Sequence, residues 1–276
     1  MCKKNIPIKT IYYKDELNDD FASTQDMAKK QIDEKYNYFK VDKFFLKALS
    51  KSLYYILAKP VLWLLNKIIF DLTFVNKKVF KQRGKKGCFI YANHTNYLPD
   101  ASIGSLVHWG QNHVVCGSEP VTIPVIGPLV AGVGAYPLGN TISAKKNFMK
   151  FMKSRLDKND SISIYPEAHI WPYFTGVRNF IPGSMAYPCE YNVPSFAITM
   201  CYQKKKFSKG PKMIAICDGP FYPDETLPKK ERMIKLRDEI YNTMVENTKK
   251  YSTYEYYKYI KQDEDKKEEE NIEAVK

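Results

Sequence analysis

The sequence predicts an α/β fold: a mostly parallel or mixed sheet flanked by helices, preceded by amphipathic, membrane-associating helices near the N-terminus. Three observations predict it. From residue 86 onward, short apolar runs rich in β-branched and aromatic residues alternate with longer amphipathic stretches, as strands alternate with helices around one sheet. Between Phe44 and Val75 the chain is apolar yet studded with lysines at regular intervals, which suits helices lying on a membrane surface. The 276 residues carry a formal net charge of +13, which attracts anionic partners such as lipid headgroups.

Residues 1–40 are polar and mixed in charge, and read as an arm or peripheral helix. Residues 41–80 contain "FFLKALSKSLYYILAKPVLWLLNKIIFDLTFV". Lys43, Lys47 and Lys51 lie four apart and share one helical face, and Lys59 and Lys67 continue the series. Pro60 is expected to separate or kink two helices. Tyr54, Tyr55 and Trp63 suit an interfacial depth. The competing reading is a buried helix pair with one solvated edge. No unbroken apolar run reaches the roughly 20 residues that span a bilayer, and "MCKKNIPIKTIYYKDELNDD" has no apolar leader core. The uncharged segment Pro120–Ala144 is long enough but broken by proline and glycine. A peripheral or monotopic protein on the cytoplasmic side of the membrane is expected.

Residues 81–260 carry the α/β domain. Strands are predicted at Gly87–Ala92, His113–Gly117, Gly134–Leu138, Ser161–Tyr165, Val193–Tyr202 and Met213–Asp218. In "SAKKNFMKFMKSRLDKND", Phe148, Met152 and Leu156 fall on one stripe, a core-facing helix. Pro228–Ile260 reads as a long charged helix, and residues 261–276 as a charged, disordered tail. Only five of the 43 basic residues are arginine (Arg83, Arg155, Arg178, Arg232, Arg237). The charge permits a nucleic-acid partner, but no recognised module accompanies it, so none is expected. The six cysteines show no paired spacing, which fits a reducing compartment. His113 and Cys116 make two potential ligands and no site, so no metal is expected.

Two polar clusters sit just beyond predicted strands, where sites in such folds gather. His94 follows "CFIYAN", with Asp100 six positions on. Glu167 and His169 follow "SISIYP", in which Pro166 ends sheet pairing. His94 could sit in an ordinary loop with Asp100 capping the next helix. Equally, an imidazole held by a carboxylate is a general base. Two His and two carboxylates could instead hold a divalent ion, which would make a metal-dependent hydrolase. A non-catalytic membrane lipid-binding protein is a further alternative.

Together the clusters resemble the motifs of the PlsC-like glycerolipid and lysophospholipid acyltransferase family. Asn93, His94 and Asp100 resemble its first motif, and Tyr165, Pro166 and Glu167 its third. "IPVIGPLVAGVGAYPLGN" and "NVPSFAITM" stand in the places of the intermediate and late segments, so the resemblance covers roughly residues 85–220. Five residues separate His94 from Asp100, where the family has four. Gly139 or Asn140 replaces the arginine of the intermediate motif, and Ala168-His169-Ile170 replaces Gly-Thr-Arg.

The resemblance implies that His94 is the catalytic base and Asp100 its orienting partner. It also implies that Asn93 and Glu167 belong to the substrate site, Glu167 binding acceptor hydroxyls or helping to hold the site. Arg178 is the candidate to stand in for the missing arginines, against a surface ion pair, and His169 lies near the substrates or simply caps its loop. The implied co-substrate is an acyl-CoA or acyl carrier protein thioester, with no cofactor. The implied acceptor is a lysophospholipid, foremost 1-acylglycerol-3-phosphate.

Overall fold

The computed structural model describes residues 7–21, 31–40, 44–124, 126–180, 182–206, 208 and 210–262. The strands are β1 (Lys9–Tyr13), β2 (Thr73–Val75), β3 (Cys88–Ala92), β4 (Asn112–Cys116), β5 (Ala135–Pro137), β6 (Ser161–Ile164), β7 (Ser195–Lys204), β8 (Pro211–Phe221) and β9 (Tyr257–Lys261). The helices are α1 (Phe44–Ser52), α2 (Lys59–Phe70), α3 (Tyr97–Val107), α4 (Glu119–Thr122), α5 (Ile126–Gly132), α6 (Ile142–Leu156), α7 (Ala186–Tyr191) and α8 (Lys229–Tyr251).

β3 lies at the centre of a seven-stranded sheet of order β2-β8-β7-β3-β6-β4-β5. All five of its residues are buried. Side chains alternate across a strand, so Phe89 and Tyr91 enter one core with Phe148, Phe151 and Met152 of α6 and Leu236, Ile240 and Met244 of α8. Cys88, Ile90 and Ala92 enter the other, with Ile103, Leu106 and Val107 of α3. β7, β3, β6, β4 and β5 run parallel; β8 is antiparallel to β7, and β2 parallel to β8. The sheet is mixed and covered on both faces, as the sequence predicts. Gly134, which precedes β5, has φ +116, and a Cβ there would meet the Asn112 carbonyl oxygen at 2.4 Å. The position therefore requires glycine.

Several expectations are corrected. The segment read as two helices around Pro60 is one helical run from Phe44 to Phe70, with α1 and α2 joined by a π-helical stretch, Leu53–Ala58. Its wider turn precedes Pro60, which cannot donate to a carbonyl one turn back. The part from Ala48 to Phe70, interrupted by Lys51, Lys59 and Lys67, is by length and composition alone long and apolar enough to cross a membrane. Thr73–Val75 lies inside the stretch assigned to interfacial helices but forms the edge strand beside β8. The N-terminal arm contains β1, which pairs in parallel with β9 as a separate two-stranded sheet. The C-terminal helix stops at Tyr251, short of Ile260. Lys261, read as the start of the tail, closes β9, and residues 263–276 lie outside the described residues, as does Lys43.

Candidate active site

Sheet register brings the two sequence clusters together. Tyr91 of β3 is paired with Ile164 of β6, and three residues beyond each stand His94 and Glu167. The Glu167 Oε2 accepts the backbone N–H of His94 at 3.3 Å. Beyond β3 the Asn93 amide continues the ladder with β7: its Nδ2 donates to the Met200 carbonyl at 3.1 Å, and its Oδ1 accepts from the Met200 N–H at 2.7 Å. Both ends of that side chain are used and the residue is fully buried. The structure therefore places Asn93 as a loop anchor and not at a substrate surface.

The loop from His94 to Asn96 is held from two sides. The Trp171 N–H donates to the His94 carbonyl at 3.0 Å and the Tyr173 N–H to the Thr95 carbonyl at 2.9 Å. The Tyr202 hydroxyl donates to Thr95 Oγ1 at 2.7 Å. Asn96 is the extended residue that opens α3, and its N–H donates to Asp100 Oδ2 at 2.9 Å. The same carboxylate oxygen lies 2.7 Å from His94 Nδ1. Asp100 thus both caps the helix and holds the imidazole, so the two readings of its role coexist. Because α3 begins at Tyr97, the extra residue between His94 and Asp100 is taken up by the loop and first turn.

With Nδ1–H donated to Asp100, Nε2 keeps the lone pair and makes no hydrogen bond among the described residues. The His94 side chain is 18% exposed and that of Asp100 only 2%. Tyr165 stacks on the imidazole with ring centroids 4.5 Å apart, and its hydroxyl donates to the Asp100 carbonyl. Burial pushes the Asp100 carboxyl up, against the opposing hydrogen bond and charge of His94. An imidazole held through Nδ1 by a buried carboxylate, with Nε2 facing solvent, can take a proton from a hydroxyl.

Glu167 and Arg178 form a buried ion pair, each side chain 1% exposed. Glu167 Oε2 accepts from Arg178 Nε at 3.2 Å and lies 3.1 Å from Nη2, and Oε1 accepts the Arg178 backbone N–H at 3.1 Å. The guanidinium also donates to the Glu16 carbonyl at 3.3 Å and to the His169 carbonyl, and lies 4.8 Å from the Trp171 ring centre. Burial pushes the Glu167 carboxyl up while Arg178 pulls it down. Neither residue has a free face. The expectation that Arg178 meets an acceptor phosphate is corrected: its donors are turned inward. Glu167 holds the His94 backbone instead of reaching outward.

His169 Nδ1 sits 3.4 Å from Asp20 Oδ2, on the N-terminal segment that crosses this loop. Asn140, at the place of the family's arginine, binds residue 32 in both directions, its N–H donating to the Ile32 carbonyl at 2.9 Å and its Oδ1 accepting the Ile32 N–H at 2.7 Å. His94, Asp100, Glu167 and His169 do not converge as ligands. Among the described residues no three His, Cys, Asp or Glu side chains are grouped to hold a metal ion. The clasp by Glu16, Asp19 and Asp20 was not legible in the sequence, because nothing local marks a contact across some 150 residues. Tyr165 was legible only as part of a motif.

The family model for acyltransferases matches residues 71–223, more than half of the chain, spanning both clusters. No curated protein matches it. Among solved structures, the chain is similar to PlsC from Thermotoga maritima, a 1-acyl-sn-glycerophosphate (LPA) acyltransferase, with a TM-score of 0.51 and 12% identity over 78% of this chain and 95% of that one. At that identity the likeness shows the fold alone, and the fold is the one described above. The matched span covers both clusters and the sheet that positions them: this chain belongs to the acyltransferase family.

Proposed function

We propose that the enzyme moves a fatty acyl group from an acyl thioester, acyl-CoA or acyl carrier protein, to a hydroxyl of a lysophospholipid, foremost 1-acylglycerol-3-phosphate, in phospholipid synthesis or remodelling. The observation that carries the reading is the 2.7 Å bond from His94 Nδ1 to the buried Asp100 at the carboxyl end of the central strand, with Nε2 left open. His94 Nε2 takes the proton as the acceptor oxygen attacks the thioester carbonyl, and Asp100 stabilises the imidazolium that forms. Collapse of the tetrahedral intermediate expels the thiolate, which receives the proton from His94. The substrate hydroxyl is itself the nucleophile, so no acyl-enzyme forms. Base catalysis of this kind contributes about 10²–10⁴-fold. Glu167 and Arg178 act as positioning residues through the His94 backbone. The acceptor is carried over from the Thermotoga maritima enzyme's own substrate.

The helical run supplies the attachment. Ile56, Trp63 and Ile68 are 77%, 55% and 68% exposed, and Leu57, Val61, Leu64, Leu65 and Ile69 join them. The opposite side carries Tyr54, Asn66 and Phe70, all buried, and Asn66 Nδ2 donates to Ser102 Oγ of α3 at 2.9 Å. A helix docked to its own domain on one side and apolar on the other suits immersion in one leaflet. The five described cysteines are free thiols, which supports the cytoplasmic face.

The test is acyl transfer by purified protein on anionic vesicles, read by mass spectrometry. Donors are acyl-CoA and acyl carrier protein thioesters; acceptors are lysophosphatidate, other lysophospholipids and glycerol phosphate. Product that disappears in His94→Ala establishes the reaction and names the acceptor. No product from any pair, with folded protein, would leave the non-catalytic lipid-binding reading in its place.

A further inference from the structure

A groove of about 870 Å³ opens at the edge of the sheet opposite His94. Its place is fixed by His108, which lines it and whose Nε2 lies 2.5 Å from Oγ of Ser161, the first residue of β6. Glu167 lies beyond the other end of that strand, so the whole of β6 separates the two, about 13 Å at roughly 3.3 Å per residue. The groove is therefore no part of the site described above.

Its wall is aromatic and apolar, formed by Tyr55, Trp63, Phe80, Val107 and Trp109. Its rim is cationic: Lys59, Lys77, Lys78, Lys81 and Arg83. No carboxylate lines it, and none of the five cations forms an ion pair among the described residues. Lys59 shows the consequence. Its ammonium donates to the His108 carbonyl at 2.6 Å and lies 5.4 Å from the Trp109 ring centre. Burial, with the neighbouring charge of Lys77, lowers it to about 8. The His108 Nδ1 is buried without a hydrogen-bond partner. Trp63 belongs both to this wall and to the exposed apolar face of α2, so the groove is continuous with the surface proposed to enter the membrane.

We propose that this groove binds one anionic phospholipid, its phosphate at the lysine and arginine rim and an acyl chain along Trp63, Val107 and Trp109. A soluble anion would leave the aromatic wall unused, and a neutral apolar ligand would leave the exposed charges of Lys77, Lys78 and Lys81 uncompensated. A phospholipid with net negative charge uses both, and the adjoining helix face delivers it from the bilayer.

The test reads bound lipid by native mass spectrometry on the full chain released from detergent, with phosphatidylglycerol as probe, phosphatidylcholine of the same acyl chains as the neutral comparison, and glycerol phosphate as soluble competitor. Lys77, Lys78 and Lys81 are exposed, so Lys77→Gln/Lys78→Gln/Lys81→Gln should fold. It should bind phosphatidylglycerol at least about tenfold more weakly, since each basic residue contributes on the order of 1 kcal/mol towards anionic lipid. The equally charged control Lys145→Gln/Lys146→Gln/Lys150→Gln, on α6, should lose less than about twofold. Trp109→Ala, at a side chain 85% exposed, should also weaken retention. Equal losses in the two triple variants, equal retention of phosphatidylcholine, or full displacement by glycerol phosphate would each overturn the assignment. Catalysis is not read, so failure here and failure of the acyl-transfer proposal are separate results.

Discussion

Replacing Arg178 by methionine tests what Glu167 is for. The carboxylate is 1% exposed and accepts three hydrogen bonds, one from the guanidinium Nε at 3.2 Å and two from backbone N–H groups at 3.1 and 3.3 Å, with the guanidinium Nη2 a further 3.1 Å ion-pair contact. Removing the guanidinium leaves a buried charge with no counter-ion and only its two backbone donors. Breaking a buried pair in this way costs about 3–5 kcal/mol. At roughly 2–4 °C per kcal/mol for a chain of this size, Tm should fall by about 6–20 °C. Part of that loss is unrelated to Glu167, because the guanidinium also packs on Trp171 and binds two carbonyls. A cycle with Glu167→Gln and the double variant isolates the pair, and should return a coupling above about 1 kcal/mol.

The pH dependence has a definite sign. Burial already pushes Glu167 up, and without Arg178 it rises further. A carboxyl raised in the folded state contributes stability below its unfolded value, near 4.3, and loses it as pH rises through the folded one. The deficit of Arg178→Met should therefore shrink from pH 8 to pH 5. Strictly additive losses and a pH-independent deficit would refute the ion-pair argument.

Asp100→Asn should lower kcat by about 10²–10⁴-fold with KM changed little, since an amide no longer fixes the imidazole tautomer; a loss expressed mainly in KM would argue against it. Ala168 stands at φ +64, where an L-residue is strained by about 1–2 kcal/mol. Set against the backbone entropy of glycine, about 0.5–1 kcal/mol, Ala168→Gly should leave stability unchanged or raise it by up to about 1.5 kcal/mol in thermal melts. Asp218, which accepts from Asn247 Nδ2 at 2.7 Å, is pushed up by burial. Its favourable contribution is present below its unfolded value and fades as pH rises. Asp218→Asn should therefore gain on the parent as pH rises from about 4, and a variant that loses ground as pH rises contradicts the assignment.

The strands of the large sheet were legible where they are buried on both faces, because an apolar run bounded by turn residues admits few other structures. β1, "KTIYY", and β9, "YKYIK", were not: each is partly exposed and mixed in character, and its partner lies at the other end of the chain. β2 is too short to show a period. At the site, His94 and Asp100 could be paired from their positions around one strand end. Arg178 could be recognised as scarce, but nothing local to "TGVRNF" shows that its charge points inward to a carboxylate eleven residues earlier. The helix through Pro60 was misread for a similar reason. A proline predicts a break in a regular helix, and the π-helical stretch before it removes the bond the proline would have broken.

The pairing of Lys9–Tyr13 with Tyr257–Lys261 fixes a temporal order in biosynthesis. The segment Glu16–Phe21 that follows β1 binds the Glu167–Arg178 loop at Arg178, Trp171 and Ile170, and Tyr259 of β9 stacks on Trp171. A ribosome delivers the helical run through Phe70 well before β9, so the clasp cannot close until the chain has emerged through Lys261. Because its contacts join residues so far apart in sequence, closure also comes late on entropic grounds. The loop that steadies His94 is thus locked only after β9 has been made, well after the helical run has left the ribosome.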